Sequence, residues 1–176
     1  MGKRSEFERI PRDKYPTPRE AILPLLPHLE QACCFVEPCA GDGRLVRHLE
    51  AQGHLCLSAF DIEPDDEDVD RGDALRMVWP HDKHYGETLC ITNPPWDRTI
   101  LHSLIDHWRK QMPTWFLFDA DWAHTKQSAP FMPYCRKIVS VGRVKWIEGS
   151  KMTGKDNVAW YLFHATPGDC IFYGRT

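Results

Sequence analysis

An α/β fold built on a mostly parallel sheet, with helices on both faces, is what this 176-residue sequence predicts. Three observations carry that reading. Short apolar runs of strand length recur along the chain. Amphipathic segments of helical period separate the early runs, and toward the C-terminus the runs follow one another directly. Parallel neighbours need long crossovers, and helical crossovers cover the faces of the sheet they connect.

The elements follow in order. "PTPREAILPLLPHLEQ" predicts a first helix, with Thr17 placed to cap it, Pro18 suited to the first turn and Glu20 completing a T-x-x-E capping box. "CCFVE" is the first buried strand. "GRLVRHLEAQG" carries Leu45, Val46 and Leu49 at helical spacing and stops at Gly53. "LCLSAFD" and "TLCITN" are the next strands. In "RTILHSLIDHWRK", residues Ile100, Leu101, Leu104, Ile105 and Trp108 fall on one helical face. "TWFLFDA", "KIVSVGRVKWI" and "VAWYLFH" complete the strands. No repeat or long linker interrupts the series, so a single domain over residues 1–176 is expected.

Composition narrows the class. Seven cysteines without a CxxC pair sit mostly in apolar runs, which reads as reduced thiols rather than a disulfide framework or a zinc site. The N-terminal "MGKRSEFERIPRDKYP" lacks the apolar core of a signal peptide, and no run is long enough to cross a membrane. A cytoplasmic protein without a membrane partner is expected. A net charge of −3 and a pI of about 6.3 do not mark the whole molecule as a nucleic-acid binder. Charge is nonetheless segregated. "DIEPDDEDVDRGD" is acidic, whereas "YCRKIVSVGRVKWIEGSKMTGKDN" interleaves Arg136, Lys137, Arg143, Lys145, Lys151 and Lys155 with aromatics. Such a basic run is either a solvated surface or one that faces a polyanion.

Three strand ends carry polar motifs. "FVEPCAGDGRL" sits where the first strand gives way to a helix, and Gly41 and Gly43 can take positive φ and admit a ligand close to the backbone. A dinucleotide fingerprint needs a third glycine where Val46 stands, and Glu37 and Asp42 would repel a phosphate. A positively charged ligand fits better; a plain tight turn is the alternative. "FDIEP" puts Asp61 at the end of the second strand, where a carboxylate can grip two ribose hydroxyls. "RGDAL" offers Asp73 either as an acceptor for an adenine amino group or as a helix cap. The third strand ends in Asn93, Pro94, Pro95 and Trp96, a combination no ordinary turn requires.

Taken together and in this order, "KYPTP", "EPCAGDG", "FDIEP", "GDA" and "NPPW" resemble the class I S-adenosylmethionine-dependent methyltransferases. Among these they resemble the amino-methyltransferases of DNA, most closely small adenine-specific enzymes of phage type in the gamma arrangement. The resemblance covers nearly the whole chain. It implies a Rossmann-like fold with a seven-stranded, mostly parallel sheet, and S-adenosyl-L-methionine as cofactor. By motif position, the cofactor residues are Tyr15, Thr17, Glu37, Cys39, Ala40, Gly41, Gly43, Asp61, Ile62, Asp73 and Asn93, with Thr17 near the methionine carboxylate. Catalysis falls to Asn93, Pro94, Pro95 and Trp96, and no metal is implied.

The clamp has a physical rationale. The lone pair of an exocyclic amine is delocalised into its ring, which makes the nitrogen a poor nucleophile. The Asn93 side-chain oxygen and the Pro94 carbonyl could accept its two hydrogens and favour a pyramidal nitrogen, while the prolines hold that carbonyl still. Trp96 would stack on an extruded base. About eighty residues follow "NPPW", too few for a separate target-recognition domain beside the remaining strands. The expected partner is therefore DNA, held by the basic 136–155 stretch and by short loops such as "IEGSKMTGKDN". RNA bases and protein glutamine amides are alternative acceptors, and a non-catalytic binding module is the alternative class. Smaller readings concern Trp122, in the core or at the pocket, and Phe131 and Tyr134, as a second stacking surface or loop packing. The spacing of His124 and Cys135 supports no metal or thiol pair.

Overall fold

The computed structural model describes residues 14–80, 87–149 and 153–175, so Lys151 and most of the N-terminal stretch lie outside the described residues. Eight strands form one sheet: β1 (Cys34–Glu37), β2 (Leu55–Asp61), β3 (Asp70–Arg71), β4 (Thr88–Thr92), β5 (Thr114–Asp119), β6 (Cys135–Gly142), β7 (Val158–Phe163) and β8 (Ile171–Tyr173). Their order is β3-β2-β1-β4-β5-β7-β6-β8. Pairings from β3 through β5 are parallel, β7 runs antiparallel between β5 and β6, and β8 is parallel to β6. The sheet thus exceeds the expected seven strands by one. The strands that sequence reading did not name, β3 and β8, have two and three residues, too few for a period-2 pattern to register.

Alternation along the strands builds two cores. Phe35, Ile91, Trp115, Leu117 and Trp160 face one side, where α1 (Arg19–Ile22) and α2 (Arg44–Glu50) supply Ile22, Leu45 and Leu49. Val36, Cys90, Phe116, Phe118 and Tyr161 face the other, where α3 (Arg98–Trp108) contributes Leu101, Leu104, Ile105 and Trp108. Four of the seven tryptophans are buried. Three of those indoles have their N–H satisfied: Trp108 by the Ala74 carbonyl, Trp122 by His102 Nε2 and Trp160 by the Ala21 carbonyl. Trp122 is therefore a core residue.

The first helix departs from expectation. It spans four residues, followed by a 3₁₀ turn at Leu26–His28, because Pro24 and Pro27 interrupt the predicted segment. The capping box does not form. Pro18 is the N-cap and makes no side-chain cap bond, the Thr17 hydroxyl accepts from Asn93 instead, and Glu20 accepts from the Lys145 backbone N–H. The strand predicted over "KIVSVGRVKWI" ends at Gly142, whose φ of +88° turns the chain out of the sheet. Among the described residues no helix is long and apolar enough to cross a membrane, and all seven cysteines are free.

One topological feature positions the site. From β1 the chain moves outward to β2 and β3, then returns on the other flank of β1 as β4. The crevice at the carboxyl ends of β1 and β4 is where open α/β sheets hold ligands.

Candidate active site

A cavity of about 440 Å³ occupies that crevice, a volume in the range of small-molecule sites. Its wall includes Tyr15, Thr17, Glu37, Cys39, Ala40, Gly41, Asp61, Ile62, Asp73 and Asn93, which motif position had assigned to a cofactor, and Pro95 from the clamp. Gly43, Pro94 and Trp96 are not on it. The two loop glycines differ. At Gly41 (φ +54°) an added Cβ would meet nothing, so a ligand can approach the backbone there. At Gly43 (φ +69°), the N-cap of α2, it would sit 3.0 Å from Arg47 Nη1 and 3.4 Å from Val69, so Gly43 serves the turn and its packing.

Asp61 ties the turn together. Its Oδ2 accepts from the Gly41 N–H at 3.0 Å and its Oδ1 from the Glu63 N–H at 2.8 Å. Both oxygens keep a lone pair for further donors. Asp73 serves both readings offered for it, since it lines the cavity while its Oδ1 caps a turn by accepting from the Leu75 N–H.

Glu37 is the most unusual group. It is 1% exposed, and among the described residues neither carboxyl oxygen has a hydrogen-bond partner of normal geometry. Burial pushes its carboxyl up to about 8; the nearby Thr92 hydroxyl and Cys39 amide offset part of that push, and the Asp61 carboxylate adds to it. Cys39 is held well above the ordinary thiol range by burial first and by Glu37 and Asp61 next, which makes it a poor nucleophile. Among the described residues, six carboxylates besides Glu37 and one lysine line the cavity, and that lysine, Lys14, is already paired with Asp65 at 2.6 Å. A site of this sign rejects phosphates and attracts a cation.

At the end of β4, Asn93 is held from both sides. Its Nδ2 donates to the Tyr15 carbonyl (3.3 Å) and to Thr17 Oγ1 (3.1 Å), and its Oδ1 accepts from the Trp96 indole at 3.3 Å. A flipped amide would set oxygen against a carbonyl and NH₂ against an indole N–H, so the network fixes which atom points to Trp96. Asp97 then caps α3, accepting from the Thr99 and Ile100 N–H groups.

The structure divides the basic stretch. Because β6 spans 135–142, Arg136 and Lys137 lie at the sheet edge away from the cavity, roughly 20 Å from Arg143 along the strand. Arg136 also donates to the Thr166 and Pro167 carbonyls. Arg143, Lys145 and Lys155 are exposed and follow β6 or precede β7 on the side of the sheet where β1 and β4 end. Arg175, following β8 and beside Gly142, adds a cation on that side, although none of the four lines the cavity. Phe131 packs on His102 and Trp122, and Tyr134 lies under the Arg109 guanidinium. Among the described residues no group of three His, Cys, Asp or Glu side chains converges as metal ligands.

Among the wall and neighbouring residues that sequence reasoning missed, three are large apolar or aromatic side chains. Leu75 and Ile100, 40% and 42% exposed, present apolar surface to the cavity. Ile100 was assigned to the buried face of α3 but sits at the margin of that stripe, a position the helical period leaves ambiguous. Trp146 packs edge-on against Trp96, centroids 5.8 Å apart, although it is fifty residues away in sequence.

Solved structures of similar architecture include a dimethyladenosine transferase from Plasmodium falciparum, with a TM-score of 0.50 and 16% identity over 82% of this chain and 59% of that one. The 23S rRNA methyltransferase ErmE scores 0.52 at 14% identity, over 84% of this chain and 68% of that one. The type I restriction enzyme EcoKI M protein scores 0.52 at 10% identity, over 90% and 47%. The chain thus spans less than two thirds of the first and third of these. No protein-family model and no curated protein matches the sequence. Likeness at this distance establishes fold alone: the chain has the Rossmann-like α/β fold of S-adenosylmethionine-dependent methyltransferases.

Proposed function

We propose that this protein is a cytoplasmic enzyme that moves a methyl group from S-adenosyl-L-methionine to the exocyclic amino group of adenine in DNA. The observation that carries the reading is the oriented Asn93 amide on the wall of an acidic cavity whose most buried carboxyl, Glu37, makes no hydrogen bond among the described residues. A buried acid left unpaired is costly, and a ligand bearing positive charge removes the cost. S-adenosyl-L-methionine, a sulfonium with an α-ammonium group, fits that demand and supplies an electrophilic methyl group. Gly41, Asp61 and Asp73 are the residues that would hold its nucleoside, and Glu37, Thr17 and Tyr15, on the same wall, would hold its amino-acid end.

The chain's own work is on the acceptor. Asn93 Oδ1 and the Pro94 carbonyl receive the two amine hydrogens, and the proline pair keeps that carbonyl from drifting. Trp96 offers an aromatic face to the ring. Positioning the amine supplies much of the acceleration, and no strong base is required, because the nitrogen becomes acidic on methylation. Arg143, Lys145, Lys155 and Arg175 are exposed on the same side of the sheet and suit a phosphate backbone. Adenosine and rRNA appear in the names of two fold relatives, so nucleic-acid amines are within reach of this architecture. A thermal-shift titration separates an enzyme site from an inert copy of the fold. S-adenosyl-L-methionine should raise Tm in proportion to occupancy, and an unmoved Tm at millimolar ligand would sink the cofactor assignment.

A further inference from the structure

One of the two acceptor sites on the amide oxygen that the proposed reaction needs is already taken. Trp96 Nε1 donates to Asn93 Oδ1 at 3.3 Å, and the Trp96 ring is braced at 84° by Trp146. Tyr15, whose carbonyl holds Asn93 Nδ2, also packs against Trp146, ring centroids 6.3 Å apart. Trp146 in turn backs onto the Gly154 turn, where an added Cβ would lie 3.0 Å from the indole. The acceptor side of the site is therefore a closed circuit in the free protein: Tyr15 and Thr17 to the amide nitrogen, the amide oxygen to Trp96, and Trp96 to Trp146 and back to Tyr15.

We propose that Trp96 is a self-occluding gate, whose indole N–H holds one acceptor site of the Asn93 oxygen and competes for that oxygen with an acceptor amine. The inference rests on the reading of Asn93 as the acceptor clamp. Its physical content is an exchange of donors. An entering ring with an amino group replaces the indole N–H with its own, and the amide oxygen stays paired throughout. A ring with a carbonyl at that position presents oxygen to oxygen, and the amide loses its partner without gaining one. The gate thus makes Trp96 a specificity-determining residue that favours amines, and it lowers the apparent affinity of every acceptor by the fraction of time the gate is shut. Phenylalanine would keep an aromatic face but lack the donor.

Two measurements decide the proposal, one without any acceptor. In the free protein, the indole ¹⁵N–H resonance that disappears in Trp96→Phe belongs to Trp96. Its hydrogen exchange should be slow in the parent and faster in Asn93→Ala; equal rates in the two proteins would overturn the closed contact. The second arm is binding of a single-stranded oligonucleotide with one adenine, in the presence of S-adenosylhomocysteine so that no turnover occurs. Trp96→Phe should bind about 2- to 10-fold more tightly than the parent, the gain expected from removing one competing neutral hydrogen bond. Trp96→Ala, which also loses the ring, should bind less tightly than Trp96→Phe. Phenylalanine binding no better than tryptophan overturns the gate, because stacking alone then accounts for position 96. If the oligonucleotide binds none of the three proteins, the DNA-adenine reading fails, and the exchange rates alone decide the gate.

Discussion

The ends of β1 and β4 lie side by side at the switch point, yet they are built on opposite plans. At β1 the key group, Glu37, is buried with both oxygens unpaired. At β4 the key group, Asn93, has its nitrogen and its oxygen both engaged. A buried acid kept neutral by its surroundings can give up its proton to a cation that docks on it, so the β1 end suits a positively charged ligand. An amide whose nitrogen makes both its bonds and whose oxygen accepts one is already oriented, so the β4 end suits a partner that exchanges with what is there. Cofactor side and acceptor side are thus told apart by hydrogen-bond saturation rather than by residue type.

The largest predicted effect breaks this comparison at Glu37. Its carboxyl lies at about 8 in the fold against the ordinary 4.5 of a solvated glutamate, so the folded protein retains a proton that the unfolded chain releases. Stability of the ligand-free protein should therefore fall, on the order of several kcal/mol, as pH rises between those values, and level off above. Glu37→Gln should flatten that dependence, as read from Tm against pH. A cationic ligand docking on Glu37 near neutral pH should also release up to about one proton, seen by calorimetry in buffers of different ionisation enthalpy. A pH-independent Tm for the parent would remove the basis of the β1 assignment.

Asn93→Ala should leave cofactor affinity largely intact and lower methyl transfer about 10²-fold or more, as single-turnover kinetics would report. Rates within a few-fold of the parent would refute the clamp. Asp61→Ala should weaken cofactor binding by about 1–3 kcal/mol, and because Asp61 also holds the Gly41 and Glu63 amides it should lower Tm as well. Asp61→Asn, which keeps an acceptor, should recover part of the Tm. The smallest effect concerns the two edges of β6. Replacing Lys145 and Lys155 with alanine should reduce the slope of log affinity against log salt by about 0.7–0.9 for each phosphate left without its cation, whereas Lys137→Ala at the far edge should not change it.

The β1 end was legible in the sequence and the surroundings of the β4 end were not, for a physical reason. "EPCAGDG" and "FDIEP" are local turns whose conformation follows from glycine and Asx chemistry, and their meeting follows from parallel pairing of adjacent strands. The orphan state of Glu37 is not local, since it depends on everything packed around it. Asn93 and Trp96 stood out because no turn needs them, but Trp146 reaches Trp96 only after β6 and β7 are in place. No periodicity encodes that contact. The first helix failed for the opposite reason: capping signals were read correctly as signals, yet Pro24 and Pro27 outweighed them. The basic run looked continuous in sequence and is split because a strand carries its two ends to opposite edges.

The central claim is that Asn93 presents an adenine amine to a methyl donor, and identification of the methylated product tests it most directly. Defined oligonucleotides, single-stranded and duplex, are incubated with protein and methyl-labelled S-adenosyl-L-methionine, digested to nucleosides and separated. The account predicts label in methyladenine across many sequence contexts, highest where the base is least costly to extrude, and lost in Asn93→Ala. Label confined to structured RNA or to protein glutamine, or methyladenine formed equally well by Asn93→Ala, would contradict it.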